Sequence, residues 1–222
     1  MSGSALKLIA VVTMIMDHTG DIFFPDQIWI RCIGRLSFPI FCFLLVEGFL
    51  YTRNLQRYMM RLLVFGLISE IPFDLAFYGE IFAWNHQNVM WTLLLGLIAI
   101  SFMSMVEYDN IYVRSLIRML IAVPFGITAQ LLHTDYRWIG VAMMTAMYIF
   151  HDMELLRDAA AAFLMMPVFT NHIEYYGILS FIPIHFYNGE RGIINRRSGW
   201  LLYVVYPAHL AIMVLIRDHI CT

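Results

Sequence analysis

Apolar stretches close to the length of a bilayer crossing recur along the chain, separated by short polar breaks. A helix that crosses the hydrocarbon core needs about 20 mostly apolar residues, and somewhat fewer suffice in some settings. By that measure the pattern predicts spans near 5–24, 33–51, 58–78, 89–106, 115–133, 138–151, 158–170, 173–187 and 199–217. The segments 158–170 and 173–187 are the shorter pair, with one broken hairpin as the alternative to two spans. The expected fold is all-α, a polytopic transmembrane helix bundle of about nine spans. No internal repeat and no long linker interrupts it, so residues 1–222 read as a single transmembrane domain. The first apolar run is not followed by a small-residue cleavage pattern and is expected to stay as the first helix.

Composition agrees with the pattern. The chain is 61% hydrophobic and 14% charged, against roughly 45–50% and about 25% in soluble globular domains. A soluble core could not hide so much apolar surface, so the expected solvent is the lipid bilayer. The net charge of −2 comes with no basic face of the kind that binds nucleic acid, and no nucleic-acid partner is expected. Cys32, Cys42 and Cys221 fit neither a disulfide framework nor a metal-binding spacing and read as small buried apolar side chains. HxxxH and HExxH are both absent, so no metal site is expected.

Lysine and arginine accumulate on the cytoplasmic side of membrane proteins. With nine spans and the N-terminus inside, the inner side receives Lys7, Arg53, Arg57, Arg61, Arg114, Arg118, Arg157, Arg191, Arg196 and Arg197. The outer side receives Arg31, Arg35, Arg137 and Arg217, which is four against ten.

Ionisable side chains at membrane depth are costly and mark polar interiors or functional sites. Asp17, His18, Arg35, Glu47, Glu70, Asp74, His185 and His209 fall within the predicted spans. At a rise of about 1.5 Å per residue, His18 lies roughly 18 Å from the inner end of its span and Glu70 about 16 Å. Asp74 comes near ~22 Å, Arg35 near ~24 Å and His209 near ~15 Å. Four helices thus bring acid, base and imidazole to one slab, either as a polar site or, residue by residue, as ordinary inter-helix ion pairs. Neighbours on a helix point about 100° apart, so Asp17 and His18 do not face each other. Glu70 or Asp74 is then the expected carboxylate partner of His18, and Asp17 is expected to pair with a cation such as Arg35 or to shape another wall. Pro39, Pro72 and Pro207 sit inside apolar spans and are expected to free backbone carbonyls and kink their helices.

The inner loop Tyr187-Asn188-Gly189-Glu190-Arg191-Gly192, followed by Asn195-Arg196-Arg197, has a different character. Its glycines allow close backbone approach to a ligand, and its arginines offer bidentate contacts to phosphate. The same arginines also satisfy positive-inside topology without any ligand.

Several of these motifs together resemble the TraX family. They are Asp17-His18-Thr19-Gly20, Gly34-Arg35-Leu36-Ser37-Phe38-Pro39-Ile40-Phe41, Glu47-Gly48, Ser69-Glu70-Ile71-Pro72-Phe73-Asp74, and Asn88 with Thr92. Tyr187-Asn188-Gly189-Glu190-Arg191-Gly192 and Tyr206-Pro207-Ala208-His209 complete the set in the family's order, over nearly the whole chain. The family's founding member acetylates the N-terminus of a conjugative pilin in the bacterial inner membrane. The family is similar in turn to membrane acyltransferases that take acetyl groups from cytosolic acetyl-CoA and use a membrane-embedded histidine. Many of that class carry an arginine, ten intervening residues and a histidine; Lys7 and His18 have that spacing here.

The resemblance implies a multi-pass inner-membrane acetyltransferase with acetyl-CoA as co-substrate and a peptide or saccharide acceptor. Its donor would be held by Asn188, Arg191, Arg196, Arg197 and Lys7. His18 would be the general base, supported by Asp17, Glu70 and Asp74, with Arg35 or His209 stabilising the oxyanion. Direct transfer and an acetyl-histidine intermediate both remain open, as do two other classes: a proton-coupled transporter and a non-catalytic membrane assembly factor. The topology is tested by a C-terminal reporter, expected to be active only when exported; activity only in the cytoplasm would remove the nine-span, C-outside arrangement.

Overall fold

The computed structural model describes residues 1–193 and 200–220, so Asn195, Arg196, Arg197 and Cys221 lie outside the described residues. The described residues form helices and turns, with one isolated bridge between Gln87 and Thr134 and no extended strand. The helices are α1 (Gly3–Phe23), α2 (Ile28–Gly34), α3 (Ser37–Tyr51), α4 (Leu55–Phe77), α5 (Val89–Met103), α6 (Ile111–Leu131) and α7 (Arg137–Ile149). They continue with α8 (Glu154–Leu164), a 3₁₀ turn over Glu174–Ser180, α9 (Phe181–His185) and α10 (Leu201–Ile220).

Among the described residues, two segments are long and apolar enough to cross a membrane: α2 with α3, over Ile28–Tyr51, and α6. Helices α1 and α4 are as long, at 21 and 23 residues, but Lys7, Asp17 and Asp21 in one and Arg57, Arg61, Glu70 and Asp74 in the other lower their hydropathy. The expected spans 158–170 and 173–187 are not continuous helices. Helix α8 has 11 residues, about 16 Å of rise, and the chain then breaks into the 3₁₀ turn and the 5-residue α9. The broken-hairpin reading of this stretch therefore describes it better than two crossings.

Proline positions refine the kinks. Pro72, Pro124 and Pro207 lie inside helices. Pro39 does not interrupt one: it is the third residue of α3, where backbone N–H groups have no intrahelical acceptor to lose. The break in that span falls earlier, at Arg35 and Leu36, between α2 and α3.

The chain forms two compact units. The first comprises residues 1–41, 64–83 and 165–222. Its tightest crossing is between α1 and α2. A Cβ built on Gly34 would stand 2.3 Å from Asp17 Cβ and 2.5 Å from Asp17 Cα, so only a residue without a side chain fits. One turn along α1, Gly20 gives the same helix pair room, with a built Cβ at 3.0 Å from Arg31 Cγ, and Arg31 bonds Asp21 at 2.9 Å. The end of α4 is closed by neighbours: Asp74 Oδ2 accepts from the Ala83 amide at 2.9 Å, and Arg217 donates to the Leu75 and Ala76 carbonyls.

The second unit comprises residues 42–63 and 84–164. Met103, Ala99, Ala122, Ala129 and Val141 form a buried cluster there. Asn88, fully buried, caps α5 by accepting from the Met90 amide at 3.0 Å. Thr92 Oγ1 donates to the Asp135 carbonyl and lies 2.9 Å from Thr134 Oγ1, so the Asn88 and Thr92 pair is a structural clasp at the head of α5. Nearby, Gly96 accommodates the Met144 side chain, whose Sδ would lie 2.5 Å from an added Cβ.

Gly34→Ala is expected to lower stability by at least about 1–3 kcal/mol, because the obstacle is backbone that cannot rotate away. Gly126→Ala, whose nearest neighbour is an ordinary 3.6 Å contact with Trp138, is expected to be close to neutral. Unfolding midpoints of the two variants in the same detergent check the contrast.

Candidate active site

All the described residues of the candidate site lie in the first unit. Helix α1 presents two adjacent polar residues in different directions, as helical geometry demands. Asp17 turns to the α2–α3 corner and His18 to α10.

At the corner, Arg35 is held by two carboxylates. Its Nη2 donates to Asp17 Oδ2 at 3.1 Å and its Nη1 to Glu174 Oε1 at 2.7 Å. The side chains retain only 10–14% of their exposure, so the charges are held largely out of water and depend on one another. The interruption of the helix at Arg35 and the 3₁₀ turn carrying Glu174 bring these groups together. Irregular backbone of this sort can be buried where its polar groups find partners within the protein. The Asp17–Arg35 pair is among the arrangements open from helical geometry. Sequence spacing does not single out Glu174, which stands second in the apolar stretch 173–187.

His18 and His209 form the other half of the site. His18 Nδ1 lies 2.7 Å from His209 Nε2, and His209 Nδ1 lies 2.8 Å from the Val205 carbonyl, one turn back on α10. The two rings are nearly parallel, 12° apart, with centroids 4.9 Å apart. Together with the short nitrogen–nitrogen distance, this is an edge-to-edge meeting and not a face-to-face stack.

The acceptors assign the protons. A carbonyl only accepts, so Nδ1 of His209 carries hydrogen and, in the neutral ring, its Nε2 is bare. That lone pair takes the Nδ1–H of His18, which leaves His18 Nε2 as the free base of the chain. His209, 7% exposed, is the buried member, and His18 is partly exposed. Phe77 meets the His18 ring edge-on at 5.3 Å, and Tyr206, 3% exposed, lies 6.1 Å from His18 and 5.7 Å from His209. The ring that orients His18 is thus a second histidine. Asp74 sits on α4 with one oxygen on the Ala83 amide, and Glu70 is half-buried one turn earlier; neither is the hydrogen-bond partner of His18 Nδ1.

The expected donor-binding loop wraps the start of α1. The Met1 ammonium donates to the Phe186 carbonyl, the Asn188 amide to the Met1 carbonyl at 3.0 Å, and the Gly3 amide to the Glu190 carbonyl at 2.7 Å. Ser4 Oγ donates to the Arg191 carbonyl at 2.8 Å. Gly189 and Gly192 have φ of +75° and +73°, backbone that favours glycine. Asn188 bonds Glu190 through both its side-chain atoms, forming the turn. Exposed Arg191 lies close enough to Lys7 for their charges to interact. The loop therefore spends its carbonyls on α1 and gathers two cations at the helix start, where the macrodipole is also positive.

Two of the remaining depth residues lie elsewhere. His185 ends α9 with its ring against Phe186. Glu47, in the second unit, bonds His151 at 2.6 Å, a pair that sequence spacing did not connect.

Removing Arg35 takes the cation from two largely buried carboxylates, whereas neutralising Glu174 leaves the Asp17 pair intact. Arg35→Gln is expected to cost about 3–5 kcal/mol and Glu174→Gln clearly less, measured by denaturant unfolding in detergent; equal losses would show that the guanidinium does not depend on both acids.

No solved structure matches this chain. It is 33% identical to the probable fimbrial assembly protein FimC, serogroup H1, of Dichelobacter nodosus, over 96% of this chain and 94% of that protein. It is also 33% identical to Protein TraX of Escherichia coli, over 39% of this chain and 34% of that protein. The match to the TraX protein family runs over residues 2–217, from the helix that carries His18 to the one that carries His209, and the chain belongs to that family.

Proposed function

We propose that this protein is a multi-pass inner-membrane acetyltransferase that moves an acetyl group from cytosolic acetyl-CoA to an acceptor amine or hydroxyl, on a peptide or saccharide, at the outer side of the membrane. The observation that carries the reading is the hydrogen-bonded sequence from the Val205 carbonyl through His209 to His18, which leaves a basic nitrogen at His18 Nε2. Exposed apolar side chains on α6, among them Leu116, Leu120, Val123, Ile127 and Leu131, suit lipid as solvent. The fimbrial assembly name of a relative that matches over nearly its whole length is consistent with a surface-filament subunit as acceptor.

In this reading the acceptor nitrogen or oxygen attacks the thioester carbonyl carbon while His18 Nε2 takes its proton. The new C–N or C–O bond forms, the C–S bond breaks, and the proton passes to the leaving thiolate, so the products are the acetylated acceptor and free thiol. His209 holds the reactive tautomer of His18 and shares the charge of the imidazolium that forms. Arg35, fixed by Asp17 and Glu174, supplies the positive potential for the tetrahedral oxyanion. Arg191 and Lys7, joined by Arg196 and Arg197, bind the phosphates of the donor, with Asn188 alongside. Phe77 and Tyr206 limit water around the base.

Acetyl-CoA titrated into the purified protein in detergent is expected to bind specifically, and an Arg191/Arg196/Arg197 triple-alanine variant is expected to lose that binding. His18→Ala is expected to bind donor normally but to release thiol at least about a hundredfold more slowly, the usual scale for a lost general base. Absent binding at millimolar donor by folded protein would turn the buried charges into evidence for a proton-coupled carrier instead.

A further inference from the structure

Outside the candidate active site, a close grouping of ionisable side chains lies in the second unit, where α3 meets the turn between α7 and α8. Glu47 on α3 is 7% exposed, and its Oε1 is 2.6 Å from His151 Nε2. The other ring nitrogen, Nδ1, is 3.1 Å from Asp152 Oδ1. Helix α7 ends at Ile149, so His151 stands beyond it, in the turn that leads into α8. A neutral imidazole has one N–H and cannot donate to two carboxylates at once; the doubly protonated ring can.

We propose that Glu47, His151 and Asp152 form a proton-operated latch that ties the α7–α8 turn to α3. With the proton in place, the imidazolium donates to both carboxylates and supplies the counter-charge for the buried Glu47. When it leaves, one of the two bonds loses its hydrogen, and the lone pair then faces a carboxylate. Glu47 becomes a buried anion without its cation, a state that favours opening the turn to water.

The charged groups acting on His151 are Glu47 from α3 and Asp152 from its own turn. On α8, Arg157 pairs with Asp158 at 2.8 Å and lies over the Phe43 ring of α3 at 5.0 Å. That second tie between α8 and α3 is a guanidinium over an aromatic ring. The Glu47 hydrogen bond raises the His151 pKa and burial opposes it, with a net rise. A raised pKa means that the latch contributes fully below the ordinary histidine value of about 6.5 and is lost as pH climbs through the higher value in the fold.

Hydrogen exchange of the full-length protein in detergent tests this, read on the peptide covering residues 148–158 at about pH 6 and about pH 8.5, with intrinsic rates corrected. The wild type is expected to exchange about fivefold faster at the higher pH, the scale of one net intramolecular hydrogen bond lost, while the α5 peptide stays unchanged. His151→Gln is expected to exchange at the fast rate at both pH values, and His151→Arg, with a permanent cation, at the slow rate at both. A wild-type peptide without pH response overturns the proposal whether or not the variants fold. So does a His151→Gln protein that keeps the response.

Discussion

The approach of α2 to α1 at Gly34 is the constraint on which the site depends. The backbone of α2 comes so near Asp17 that a single methyl group at position 34 would collide with the α-carbon of the neighbouring helix. This contact sets where the α2–α3 corner lies, and the corner carries Arg35. It also sets which way α1 is turned, because Asp17 is locked into the crossing. With Asp17 held, its neighbour His18 is directed to another side of the helix, where α10 brings His209.

Electrostatics then makes the geometry cooperative. One guanidinium serves two buried carboxylates from separate elements, so α1, the α2–α3 corner and the 3₁₀ turn each depend on the others. A buried charge that loses its partner is strongly destabilising, whereas the complete group tolerates burial. The histidine pair follows a different logic. Neutral rings linked through single hydrogens can be buried without a counter-ion, and the backbone carbonyl at one end decides which nitrogen is basic at the other. A held cation and a neutral imidazole, the two groups the proposed function calls on, are thus prepared in one unit by separate means.

The loop at residues 186–192 shows how a sequence suited to phosphate binding can also serve the fold. Its glycines are needed for its backbone to turn, and its carbonyls are taken by the first residues of α1. Its side chains are left to gather positive charge around the helix start. Donor binding, in the proposed function, then acts on the same helix that carries His18.

Much of this was written in the amino-acid order. The helical class, the apolar runs, the polar residues at depth and the divergence of Asp17 from His18 follow from hydropathy and from the 100° turn between successive helical residues. The family motifs at Asp17 to Gly20, Gly34 to Phe41 and Tyr206 to His209 lie on the elements that build the site. Tertiary structure alone decided which polar groups meet. Glu174 reaches Arg35 because its segment is broken, and a broken apolar stretch has the same composition as an intact one. His209, and not a carboxylate, orients His18, since the choice depends on how α10 is rotated against α1. His151 finds Glu47 across 104 residues of sequence. Periodicity records what each helix can present to its surroundings, but partners between helices are selected by crossing points and rotation, and those are properties of the packed chain.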